Sequence, residues 1–159
     1  MVSTVVSSVP MASPSPEHLQ HQIEQRLRIL RILWLGIFMS LVLFYGFSLV
    51  NEKPRDVEPN STLTLIFIAV ALLAIPTSFV IKSALLKQSV EQQRPELVQQ
   101  AYIIALAINE VGALLGLLDH LSNSDPYYFV PMIIAACGEL LHFPKRQHVI
   151  DASFKTATL

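Results

Sequence analysis

Thr62–Ile81 carries no charged residue, and this run constrains the fold more than any other feature. At about 1.5 Å per residue a helix of this length reaches roughly 30 Å, the thickness of the hydrocarbon core of a bilayer. No water is present there to satisfy backbone N–H and C=O groups, so the run has to close its own hydrogen bonds as a helix. Pro76 is expected to kink it, with Thr77 and Ser78 close enough to serve the freed backbone groups. The whole chain fits this environment: 159 residues, 52% hydrophobic, 14% charged, with a mean hydropathy of +0.50. A soluble domain normally carries more charge.

Three further runs resemble the first. Residues 30–50 contain only Arg31 as a charge, placed where its guanidinium can snorkel to the headgroups, and Ser40 falls at the midpoint. Residues 101–118 and 127–143 complete the set, the last opening on Tyr127, Tyr128 and Phe129, which read as an interfacial aromatic belt. The expected fold class is therefore all-α integral membrane, with four transmembrane helices at 30–50, 62–81, 101–118 and 127–143. Short connections make spans 1–2 and 3–4 antiparallel hairpins.

Residues 1–16 read as a disordered Ser/Val/Pro tail. No signal peptide is expected, because the first apolar run starts near residue 29, is too long and lacks a small-x-small site. Ser15-Pro16-Glu17 has the character of a helix start, so 17–29 should be a polar helix leading into the membrane. Asn60 reads as the cap of the second helix in preference to a glycosylation site. Lys82–Gln100 reads as a polar connector divided by Pro95, and 144–159 as a short cytoplasmic tail beyond Pro144. With the N-terminus in the cytoplasm, Arg26, Arg28, Arg31, Lys82, Lys87, Arg94, Lys145, Arg146 and Lys155 are inside, against Lys53 and Arg55 outside. This asymmetry puts both termini in the cytoplasm. A plasma or bacterial-type inner membrane is expected in preference to an organellar one.

Asn109 and Glu110 lie at the centre of the third span. A charged side chain there costs roughly 3 kcal/mol to insert, so such residues are candidates for function. No Lys or Arg shares the depth of Glu110, so a neutral acid or a cation-bound carboxylate is expected, with Ser40 at matching depth as its hydrogen-bond partner. Ala105, Asn109, Gly112 and Gly116 form a small-residue stripe ending in G-x-x-x-G, which implies a closely packed partner helix. The competing role for Asn109 and Glu110 is interhelical hydrogen-bond glue.

Other candidates are weaker. Glu139 and His142 share a helix face and read as a secondary acid and relay, placed as a solvated pair near the headgroups; half of a di-iron E-x-x-H signature is too little for a metal site. His18, His21 and Glu24 read as a solvated face. Cys137, the one cysteine, is expected to be a buried structural thiol. No metal or cofactor is expected. Gly-rich phosphate loops, Ser/His/Asp sets and basic stripes are missing, which argues against a soluble-site enzyme and against nucleic acid as partner.

Residues 104–118, with Glu110, Ala113 and Gly116-Leu117, resemble the carboxylate-bearing helix of the rotor-ring proteolipids of rotary ATPases, and two hairpins resemble their doubled, vacuolar-type form. The resemblance implies a proton-binding Glu110 in a subunit of an ion-translocating assembly. Proton or ion binding at Glu110, in a homo-oligomer or beside other membrane subunits, is the leading expectation. A non-transporting structural or assembly subunit is the alternative. Small-molecule export in the manner of four-helix multidrug transporters is disfavoured, because their acid lies on the first helix.

Overall fold

The computed structural model describes residues 16–51, 58–123 and 125–153. The described residues form helices and connecting turns, with no strand. Five helices follow in order: α1 (Pro16–Val50), α2 (Ser61–Gln92), α3 (Glu96–Ser122), α4 (Phe129–Leu141) and α5 (Arg146–Ser153). The tail at 1–15 with Ser15, and Lys53, Arg55 and Lys155 of the charge count, lie outside the described residues.

Three helices are long and apolar enough to cross a membrane: α1, α2 and α3. This is the architecture of an all-α membrane protein. Each extends beyond its hydrophobic run. The polar residues before Leu30 continue into α1 without a break, and α2 passes through Pro76 and runs three turns into the polar connector. Asn60 caps α2, its side chain accepting from the Leu63 N–H at 3.2 Å. Gln93 ends it in the left-handed region (φ 50°), and Pro95 sits just ahead of α3. The fourth helix is shorter, 13 residues, or about 20 Å.

α3 is the central helix. It packs on α2 and α4 along one side and on α1 along another, while the backbones of α1 and α2 do not approach each other closely among the described residues. Side chains that face away from these contacts are apolar and exposed, among them Ile32, Leu43 and Val50 of α1 and Leu65, Leu73 and Val80 of α2. Exposed apolar surface of this extent suits lipid contact and would be anomalous in water.

Three expectations are corrected. Part of the 144–159 tail is α5, which buries Val149 and Ala152 against Ile23 and Leu30 of α1 and Val98 and Tyr102 of α3. Cys137 is exposed, because α4 turns Ala135, Gly138 and Glu139 inward and position 137 outward. Of the aromatic trio only Tyr127 is well exposed; Tyr128 is buried, its ring 4.5 Å from that of His120.

Candidate functional site

The Asn109-Glu110 pair divides between two faces of α3. Asn109 turns toward α2 and α4, where its Nδ2 donates to Ser78 Oγ at 3.2 Å and to the Ala105 carbonyl at 3.0 Å. The stripe that contains it is the helix contact. A Cβ added at Gly112 would lie 3.2 Å from the Pro131 carbonyl oxygen, and one at Gly116 would lie 2.8 Å from that of Tyr128. Ala105 is fully buried in the same contact face. Gly138 completes the fit from the α4 side, for a Cβ there would fall 2.5 Å from Asn109 Oδ1. Gly138→Ala is therefore expected to push the Asn109 amide off Ser78 and to cost about 1–3 kcal/mol, read as a lower unfolding midpoint in detergent.

Glu110 turns the other way, toward α1. Ser40 Oγ lies 2.5 Å from Glu110 Oε1 and 2.7 Å from the Ile37 carbonyl oxygen. A hydroxyl has one proton to donate. The carbonyl can only accept, so when Ser40 donates to Ile37 O, the proton in the contact with Glu110 belongs to the acid. The geometry thus accommodates a protonated Glu110 that donates to Ser40, with no cationic partner.

A second acid lies close by. Asn109 packs on Gly138 and Gly112 on Ala135, a register that sets Glu110 and Glu139 about 3 Å apart in depth. Glu139 is 0% exposed, and neither carboxyl oxygen has a hydrogen-bond partner. Trp34 Nε1 donates to the Glu139 backbone carbonyl at 2.9 Å and closes the site on the α1 side. Glu139 and His142 are thus buried, where a solvated pair was expected; the α1 and α2 side chains that cover them could not be assigned from spacing along α4.

From His142 a polar chain runs toward α5. His142 Nε2 is 2.8 Å from Ser78 Oγ, and Nδ1 is 3.4 Å from Lys82 Nζ. An ammonium only donates, so Nδ1 accepts and Nε2 carries the hydrogen. Ser78 then accepts from His142 and Asn109 while donating to the Ile75 carbonyl at 2.6 Å, which uses its full capacity. Lys82 Nζ also sits 4.1 Å from the centroid of the Tyr102 ring. The Tyr102 hydroxyl accepts from the Lys145 N–H at 3.1 Å and donates to His148 Nδ1 at 2.8 Å. Burial, reinforced by Lys82 and Lys145, holds the His148 imidazole below the usual histidine range, in keeping with a neutral acceptor.

Ser78, Lys82, Tyr102 and His148 join the site, although the sequence marks Ser78 only as a neighbour of Pro76 and Lys82 only as an inside charge. The i, i+4 spacing of Ser78 and Lys82 was the one available signal. His21 and Glu24 are exposed, and the side chain of His18 lies outside the described residues. Among the described residues no group of three or more His, Cys, Asp or Glu is arranged to hold a metal.

The opposite end of the bundle is closed by a separate network. Asp119, 0% exposed, accepts from Thr64 Oγ1 at 2.8 Å and from Asn123 Nδ2 at 2.9 Å. Asn123 Oδ1 accepts from the Asn60 N–H, Ser61 Oγ donates to Asp125 Oδ2, and His120 Nε2 donates to the Asn51 carbonyl. Donors and acceptors pair across the start of α2, the end of α3 and the segments beside them, with His120 Nδ1 left without a partner, as expected of a largely satisfied structural lock.

No family model matches the chain, and no curated protein or solved structure matches it.

Proposed function

We propose that the protein is a four-span integral membrane protein, both termini cytoplasmic, that binds protons at Glu110 and Glu139 and exchanges them with the cytoplasmic side along the His142 chain. The fourth span in this reading is α4 with its flanks. Ser61 meets Asp125 and Ser78 meets His142, so residues 125–142 cover the same stretch of α2 as Ser61–Ser78, about 25 Å. The observation that carries the reading is the Ser40 contact: the Glu110 carboxyl turns toward α1, Oε1 2.5 Å from a neutral hydroxyl that also lies 2.7 Å from the Ile37 carbonyl oxygen, a setting that can take or give a proton without a cationic partner. An acid neutral against hydrocarbon and ionisable when water arrives is what proton carriage requires. The surrounding assembly is a homo-oligomer or a complex with other membrane subunits in a plasma or inner membrane, and the Glu110 helix follows the carboxylate-helix design of rotor-ring proteolipids.

The second reading is structural glue, favoured by Asn109, whose bond to Ser78 ties α3 to α2. Glu110→Gln separates the two. A glutamine amide can still donate to Ser40 Oγ, so packing survives while the titratable proton is lost. In liposomes under a pH gradient, the wild type is expected to take up protons and the variant to fall to the protein-free background, with its unfolding midpoint within about 0.5 kcal/mol of wild type. A wild type without gradient-driven uptake, or a variant that matches it, removes the proton reading.

A further inference from the structure

Near the start of the apolar part of α1 an arginine-rich cavity of about 500 Å³ opens on the outer face of the bundle, where α1 meets α5. Arg28 and Arg31 of α1 and Arg146 of α5 line it, with Glu24 as the one acid and Ile32 and Leu35 as an apolar wall. Three guanidinium groups against one carboxylate leave a surplus of two positive charges. Among the described residues none of the three arginines is ion-paired. Arg26, a neighbouring basic residue on the same helix, is paired, to Glu96 at 3.0 Å. Arg31 instead lies 5.9 Å from the centroid of the Phe143 ring.

The position of this charge is informative. Arg31 stands at the beginning of the first membrane run, at headgroup depth, while Ile32 and Leu35 are exposed on the surface that faces lipid. Guanidinium groups bind phosphate oxygens in a two-pronged fashion. Basic pockets at the cytoplasmic side of membrane helices suit anionic headgroups. A free phosphate would satisfy the arginines but would gain nothing from the apolar wall.

We infer that this cavity binds an anionic phospholipid, its phosphodiester held by Arg28, Arg31 and Arg146 and its acyl chains lying along Ile32 and Leu35. The inference rests on the membrane reading of α1 and is independent of proton binding. A bound lipid would bridge α1 to α5, holding the short helix in place from the outside as Val149 and Ala152 hold it from within.

The test uses the full chain in neutral detergent, titrated with phosphatidylglycerol, phosphatidylcholine or inorganic phosphate, with bound lipid counted by native mass spectrometry. Phosphatidylglycerol is expected to bind at least tenfold more tightly than phosphatidylcholine. Arg28→Gln, Arg31→Gln and Arg146→Gln each weaken it about fivefold, while Lys87→Gln, an exposed cation outside the cavity, leaves it unchanged. All three arginines are exposed, so the substitutions spare the core; should one misfold, the ratio between the two lipids on wild type decides alone. Equal binding of the two lipids overturns the inference, as does a triple variant that keeps the wild-type preference. Displacement of phosphatidylglycerol by an equal concentration of inorganic phosphate identifies a soluble-anion site and overturns it too.

Discussion

Glu139→Met is expected to make the protein more stable while abolishing its proton uptake. The carboxyl of Glu139 is fully buried and neither oxygen has a hydrogen-bond partner, so the folded state bears its desolvation cost without compensation. Protein mutational data put that cost at about 1–3 kcal/mol for a neutral polar group. Methionine has nearly the same length and no branching, and its thioether tolerates irregular apolar gaps, so the volume stays filled. The unfolding midpoint in mixed detergent should rise by a corresponding amount. Glutamine is the wrong probe here, because its amide would bring unpaired donors of its own. A gain of stability with a loss of function is the signature of a group retained for chemistry. A variant less stable than wild type would show that the carboxyl holds helices together, and undiminished uptake would remove Glu139 from the proton path.

Asp119→Ala is expected to have the opposite character, a large loss of stability with normal uptake by the fraction that remains folded. Two donors converge on this buried carboxylate, Thr64 Oγ1 and Asn123 Nδ2. Truncation strands both and loosens the tie between the start of α2 and the end of α3. The expected loss is about 3 kcal/mol, since charge-assisted bonds are worth about 1.5–3 kcal/mol and stranded donors add to the loss. Asp119→Asn keeps one acceptor oxygen and should lose about half as much. Asp119 lies nine residues beyond Glu110 on α3, about 14 Å along the helix axis, so proton binding should be untouched. Denaturation in a detergent titration, followed by uptake measured on the folded fraction, checks both halves. A loss below about 1 kcal/mol would mean that the lock at this end is carried elsewhere.

The residues that sequence reasoning reached and those it missed differ in kind. Apolar length is additive along the chain, so the three long helices can be read from composition alone. The Ala105, Asn109, Gly112 and Gly116 stripe is local to one helix, and its 4, 3, 4 spacing places it on one face whatever packs there. Depth can be counted from either end of a span, which is why Ser40 and Glu110 could be paired before any fold was known. The direction that α4 faces could not be found this way. It is so uniformly apolar that Cys137 and Gly138 look equally fit for burial, and the small residue that Asn109 requires became evident only when α3 and α4 were placed together. The His142, Lys82, Tyr102 and His148 chain draws on α2, α3, α4 and α5, and no period within one element encodes it. α5 has only eight residues, too few for a hydrophobic period to rise above chance.

The separation of α1 from α2 has a consequence for how the molecule is made. α1 precedes α2 and α3 in the chain, but its main packing partner is α3, and the backbone of the helix that follows it does not approach it closely among the described residues. Ser40 of α1 therefore meets its partner Glu110 only when α3 has been added, some 70 residues later. The cover over Ile23 and Leu30 is likewise built from two later elements, Val98 and Tyr102 of α3 and then Val149 and Ala152 of α5. On this plan α1 is secured by α3, α4 and α5, elements that follow it at long range, and its neighbour in the chain takes no part in the closure.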